Sequence, residues 1–311
     1  MNRILFIDDE PFLLKALRRS FRSKRDQWEM HFVEDGDEAL RLMDENAFDA
    51  LVSDMRMPKM SGAQLVSEVV RRGHDTVRVL LTGQSEQQSI FPCLGLIHRF
   101  LTKPCEPKRL MQTLDQLLEA RNKIPAGTLR SVLSNLECLP MQCGPREAFH
   151  DEIRTESPSL ERLASLASSD IGIAVRLIQL ARSGILAADV QDVHPNALIQ
   201  AIGVETLQLL QQAECFLPKV KSSISDAELK SLNQRSFERA NNGAACEHSD
   251  VSKNTAWMDG LLSEVGWLII EKVFVANENA TELSEPRIDH EDAVEYLMKL
   301  WAPDFACRCN S

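Results

Sequence analysis

The sequence predicts a doubly wound α/β domain with a five-stranded parallel sheet, followed by an all-α domain. Three observations carry that expectation. Up to Arg121, short apolar runs alternate with helix-period stretches. The pattern breaks at Asn122–Gly127, where Lys123-Ile-Pro-Ala-Gly127 reads as a linker. Beyond it, strand-like alternation largely disappears and helical periodicity takes over. With 311 residues, either half is long enough to bury its own core.

The strands are expected at Ile4–Ile7, Met30–Val33, Ala50–Val52, Val77–Leu81 and Ile97–Leu101. Helices are expected at Pro11–Arg22, Asp37–Asn46, Ala63–Arg72 and Pro107–Ala120. Strands alternating with helices of about ten residues or more give a parallel sheet covered on both faces. Five such units fit the flavodoxin-like order, in which ligands lie at the carboxyl ends of the strands. The domains are therefore drawn as 1–121, a linker at 122–127 and a helical domain at 128–311. In the second half, Asp170 is an expected N-cap for a helix over Ile171–Arg182, with Gly184 as its stop. Ala197–Gln212 and Trp257–Val275 read as further apolar helices, and Lys219–Asp250 as a polar loop or short helices.

Charge narrows the range of functions. The whole chain carries −11, of which residues 1–121 hold −1 and the rest −10. An acidic second half is a poor match for a nucleic-acid backbone, and no basic helix-turn-helix pattern is visible, so DNA is not expected as a partner. No apolar run approaches the roughly 20 residues of a membrane span, and Ile4–Ile7 is too short for a signal peptide. The expectation is a cytoplasmic protein with no membrane partner, its eight cysteines reduced.

The first half gathers chemistry at its strand ends. Strand one ends in Asp8-Asp9, strand three in Asp54 and strand four in Thr82, while strand five is followed by Lys103-Pro104. The topology brings these ends to one rim. Three close carboxylates repel and need a cation to stay ionised together. An all-oxygen set suits Mg²⁺, a standard aid to phosphoryl transfer, and a carboxylate can itself become the nucleophile. Taken singly, the residues say little: Asp8-Asp9 alone suits a helix N-terminus, and Phe100 alone suits a core.

Together, Ile7-Asp8-Asp9-Glu10, Asp54-Met-Arg-Met-Pro58 with Gly62, Leu81-Thr82-Gly83 and Phe100-Leu-Thr-Lys103-Pro104 resemble the receiver domain of response regulators. The resemblance implies that Asp54 accepts a phosphoryl group from a sensor histidine kinase or phosphotransfer protein. It implies that Asp8, Asp9, Asp54 and the backbone carbonyl of Arg56 hold Mg²⁺. Thr82 and Lys103 would contact the phosphoryl oxygens, Phe100 would be an aromatic switch, and the Lys103–Pro104 bond would be cis. The phosphorylated domain would signal through homodimerisation or through contact with the second domain.

The second half resembles the HDOD family, helical output domains related to HD phosphohydrolases. Leu139-Pro140, the helix from Asp170 to Ser183, Ala201-Ile202-Gly203 and Gly260-Leu-Leu-Ser-Glu-Val-Gly266 carry the likeness. Where HD hydrolases have a His-Asp pair, this chain has Ser263-Glu264, and an earlier metal histidine would fall near Arg235. Ser and Arg cannot supply the imidazole and carboxylate ligands of a dinuclear site. The expectation is a non-enzymatic domain acting on a downstream protein; the alternative is a metal-dependent phosphohydrolase regulated by the first half. Cys246 with His248, and Cys307 with Cys309, match no ordinary zinc spacing, and His150, His194 and His290 are scattered. Trp257 and Trp267 read as core. Arg18-Arg19 and Lys24-Arg25 form either a solvated helix face or part of a kinase-docking surface.

Overall fold

The computed structural model describes residues 1–83, 90–186, 190–247, 249–274 and 289–302. The chain forms two compact units, Met1–Asn135 and Leu136–Ser311.

In the first unit, strands β1 (Asn2–Ile7), β2 (Trp28–Val33), β3 (Ala50–Asp54), β4 (Val77–Thr82) and β5 (Arg99–Thr102) form one sheet in the order β2-β1-β3-β4-β5. Every pairing is parallel. The order reverses between β1 and β3, which leaves a crevice at their carboxyl ends. β3 is buried along its length, as a central strand covered on both faces must be. Helices α1 (Pro11–Ser20), α2 (Gly36–Glu45), α3 (Gly62–Arg71) and α4 (Pro107–Lys123) follow their strands. Asp35 caps α2 by accepting from the Asp37 N–H. Ser61 and Gln64 form a capping box on α3, satisfying two end donors reciprocally.

The first compact unit extends past the expected boundary at 121/122. Helix α4 runs on through Asn122-Lys123, and a further helix, α5 (Thr128–Ser134), belongs to the first unit. The reason is a set of charged contacts that the linker-like composition hides. The Arg121 guanidinium pairs with Asp49 at 2.6 Å and Asp75 at 3.0 Å, and Arg130 of α5 binds Asp75 at 2.6 Å.

In the second unit, helices α6 (Cys143–Ile153), α7 (Leu160–Ala167) and α8 (Ile171–Arg182) pack around α9 (Pro195–Ile202) and α10 (Val204–Gln212). Asp170 caps α8 through the Ile173 N–H and also accepts from the Gln142 N–H and the Asn233 amide. Gly184 follows at φ +89°, as expected of a stop. The single helix expected over Ala197–Gln212 is two helices, because Gly203 sits at φ +84°, a conformation that ends the first. The loop expected over Lys219–Asp250 is mostly the 21-residue helix α11 (Asp226–Cys246), opened by a Ser225–Glu228 capping box. Its buried face is Leu229, Leu232, Asn233, Ser236, Phe237 and Ala240; polar residues in that stripe blur the hydrophobic period.

Helix α12 (Asp250–Leu262) crosses α11 so closely that a Cβ on Gly260 would lie 2.4 Å from the Ala240 nitrogen. The helix expected from Trp257 therefore starts earlier. It breaks at Ser263-Glu264, resumes as a turn at Val265–Trp267, and passes into a π-helix at Leu268–Phe274. Helix α13 (His290–Trp301) closes the described core. Trp257 is buried, as expected. Among the described residues no single helix is long and apolar enough to cross a membrane, and no disulfide is formed. His248, Cys307 and Cys309 lie outside the described residues.

Candidate functional site

The site is built by strand endings. β1 delivers Asp8 and β3 delivers Asp54 on either side of the crevice, and both carboxylates are buried at 1% and 7% exposure. Lys103, just past β5, reaches across to both. Its Nζ lies 3.1 Å from Asp8 Oδ2 and 2.5 Å from Asp54 Oδ1. Lys103 is held in place by its own N–H, which donates to the Thr82 carbonyl at 2.7 Å. The Lys103–Pro104 bond is cis.

Backbone donors complete the carboxylates' shells. The Glu10 N–H donates to Asp8 Oδ1 at 2.9 Å, and the Arg56 N–H donates to Asp54 Oδ2 at 3.2 Å. Gly62, at the start of α3, lets the loop after β3 fold back: its N–H donates to the Met55 carbonyl at 3.0 Å. A side chain there would collide, since a Cβ would stand 2.2 Å from the Asp54 carbonyl oxygen. Thr82 is buried, with its hydroxyl donating to the Gly83 carbonyl at 3.0 Å. Phe100 is buried on β5, in register with Leu80.

The structure thus brings Asp8, Asp54 and Lys103 into direct contact. Asp9 stands exposed beside them, so the expected convergence of three carboxylates is reduced to two. Among the described residues no three His, Cys, Asp or Glu side chains form a ready cation cage. Two buried carboxylates against one ammonium still leave an excess of negative charge with only oxygen donors. That chemistry fits a hard divalent ion such as Mg²⁺. The sequence reading missed the amides of Glu10 and Arg56 as carboxylate donors, because backbone groups leave no mark on residue identity.

Electrostatics set the reactivity. Burial pushes the Asp54 carboxyl above its ordinary value; Lys103 pulls it back and Asp8 adds to the rise. Burial alone would weaken the Lys103 ammonium, but its bonds to Asp54 and Asp8 outweigh that and its pKa is raised. A nucleophilic carboxylate must be ionised. In the metal-free protein, ionisation of Asp54 is expected to show its inflection above that of free aspartate. Lys103→Met should move the inflection higher, because the largest lowering influence is gone. NMR titration of the Asp54 carboxyl in both metal-free proteins checks this, and an unmoved inflection would count against the pairing. Stability follows the same sign. A group whose folded pKa is raised stabilises the fold below its unfolded pKa, and that contribution is lost as pH rises through the folded value. Asp54→Asn should be the more stable protein at neutral pH, with the difference closing in acid.

Comparisons with known proteins follow this geometry. Residues 4–115 match the model of the response regulator receiver domain. The hydrogenase transcriptional regulatory protein HoxA of Bradyrhizobium diazoefficiens is 31% identical over 118 residues, which is 37% of this chain and 24% of that protein. The transcriptional regulatory protein YhcZ of Bacillus subtilis is 27% identical over 165 residues, 52% of this chain and 75% of that protein. Among solved structures, the signal receiver domain of an HD domain-containing protein from Pseudomonas fluorescens Pf-5 is 29% identical. It matches with a TM-score of 0.37, over 40% of this chain and 98% of its own. This chain therefore spans about a quarter of the length of the first of these relatives.

Proposed function

We propose, with the response regulator receiver domain at residues 4–115 as premise, that the protein is a phosphorylation switch in which Asp54 is the acceptor and the helical second unit is the output. The Asp8–Lys103–Asp54 contact at 3.1 and 2.5 Å carries this reading. A sensor histidine kinase, a phosphotransfer protein or a small phosphodonor is the partner that the premise implies. Asp54 attacks the donor phosphorus and forms an acyl phosphate, while the donor's leaving atom keeps its electron pair. Lys103 is placed to follow the developing charge on the transferred oxygens, and Thr82 to offer its hydroxyl. Asp8, Asp9, Asp54 and the Arg56 carbonyl would hold Mg²⁺, which when bound supplies charge neutralisation at the phosphoryl group. Phe100, on the strand that Lys103 follows, is the proposed aromatic switch.

For the output we infer a non-enzymatic HDOD-like domain that works by protein contact. Support comes from the positions where a hydrolase would need metal ligands. Glu264 is engaged by Arg235 at 3.2 Å and by Arg239 at 2.8 Å, and Arg239 also donates to the Ser263 hydroxyl at 3.1 Å. These guanidiniums hold the Glu264 carboxyl below its usual range. Two cations where a metal would sit disfavour a metal-activated water. The −10 carried by residues 122–311 favours a protein partner over a phosphate backbone.

Intact-mass measurement after acetyl phosphate and Mg²⁺ is the test. One phosphoryl group is expected on the wild-type chain and none on Asp54→Asn. Equal labelling of the two would move the acceptor elsewhere.

A further inference from the structure

At the end of the sheet remote from Asp54, two buried side chains hold helix α5. Arg78, the second residue of β4, is 1% exposed, and His98, just before β5, is 4% exposed. The Arg78 N–H donates to His98 Nδ1 at 3.0 Å, so the ring proton lies on Nε2, which is 3.0 Å from the Ser134 carbonyl. Arg78 Nη2 donates to that same carbonyl, while Nη1 reaches Asn135 Oδ1 at 3.0 Å and the Thr76 carbonyl at 3.1 Å. Its Nε donates to the Leu96 carbonyl. Burial and the adjacent Arg78 charge keep His98 neutral, well below its ordinary pKa. Around this pair, Asn135 Nδ2 donates to the His74 carbonyl at 3.4 Å, and Arg130 binds Asp75.

Helix α5 has seven residues, too few to be stable alone. Its order depends on these contacts together with the burial of Leu129 and Leu133. The strands that make them are the two whose other ends present Thr82 and Lys103.

We propose that α5 is the receiver's output lever, gripped by a buried Arg78–His98 latch on β4 and β5 and released when Asp54 is phosphorylated. The inference rests on the receiver reading above and adds the route by which it leaves the first unit. Direction follows from the latch itself. The guanidinium's bonds run to three backbone carbonyls and the Asn135 side chain, so displacement of either strand strains or breaks them. α5 ends at Ser134, immediately before the second unit begins at Leu136, so loosening it frees the segment that joins them.

Hydrogen exchange on the full chain tests this, with intact mass scoring the label in the same samples. In labelled wild type, amides of 128–134 should exchange about tenfold faster or more than in unlabelled protein. Asp54→Asn should show no response to acetyl phosphate and Mg²⁺. Arg78→Lys, which keeps the charge but loses the fork, should exchange fast with or without donor. Asn135→Ala serves as the milder variant, since it removes one latch partner without emptying the core, and should raise exchange in the same region. Label on Asp54 with unchanged or slower exchange at 128–134 would overturn the lever and leave the acceptor standing. Absence of label on the wild type would overturn both.

Discussion

Gly62→Ala is expected to cost about 3 kcal/mol of stability, and to cut Asp54 labelling by roughly tenfold or more, the upper range for overpacking a rigid site. The added Cβ would meet the Asp54 carbonyl oxygen at 2.2 Å, the Asp54 carbonyl carbon at 3.1 Å and Leu80 Cδ2 at 2.8 Å. Two of these are backbone atoms of the proposed acceptor residue itself. β3 is paired on both sides, with β1 and β4, so it cannot step back. Relief must come from the loop between Asp54 and α3, which would break the Gly62–Met55 hydrogen bond and shift the Arg56 amide off the Asp54 carboxylate. Denaturant unfolding and intact-mass labelling measure the two effects. Gly144→Ala is the control: it lies in α6 with nothing within 4 Å of the new Cβ. It should leave labelling unchanged and raise stability by about 0.5–1 kcal/mol.

Arg176→Met should destabilise the second unit by about 1–3 kcal/mol, the range for leaving buried neutral acceptors without a donor. Arg176 is 1% exposed and has no ion-pair partner among the described carboxylates. Instead its guanidinium donates to four acceptors: the carbonyls of Phe216 at 2.8 Å, Glu137 at 3.2 Å and Cys215 at 2.6 Å, and Gln179 Oε1 at 2.6 Å. Burial lowers its pKa, the direction expected of a desolvated cation. Methionine fills the volume but leaves three carbonyls in the interior without donors. Tryptophan fluorescence reads the result directly, since Trp257, Trp267 and Trp301 lie in the second unit and Trp28 alone in the first. The transition of the second unit should move to lower denaturant; an unmoved midpoint would refute the assignment.

The first unit was legible because its signals are local. A polar or charged side chain at the end of an apolar run announces itself, and Asp8, Asp54, Thr82 and Lys103 each occupy such a position. Asp170 was legible as a cap for the same reason. What stayed hidden depends on distant partners. Arg78 interrupts the apolar run of β4, and nothing nearby says that two of its acceptors are 56 and 57 residues away. The extent of the first unit was misread because Arg121 and Arg130 look like solvated charges until Asp49 and Asp75 are placed beside them. Helix α11 escaped because Asn233 and Ser236 sit in its buried stripe, where a period count expects aliphatic side chains. Asn233 is there to serve the Asp170 cap and the Ile171 N–H, a role visible only in three dimensions.

The crossing at Gly260 has a mechanical meaning. With the backbone of one helix lying directly on the Ala240 backbone of the other, no layer of side chains remains between them to act as a bearing. At this point neither helix can present a larger residue to the other without the two backbones parting. A rearrangement at this crossing therefore has to carry the two helices together.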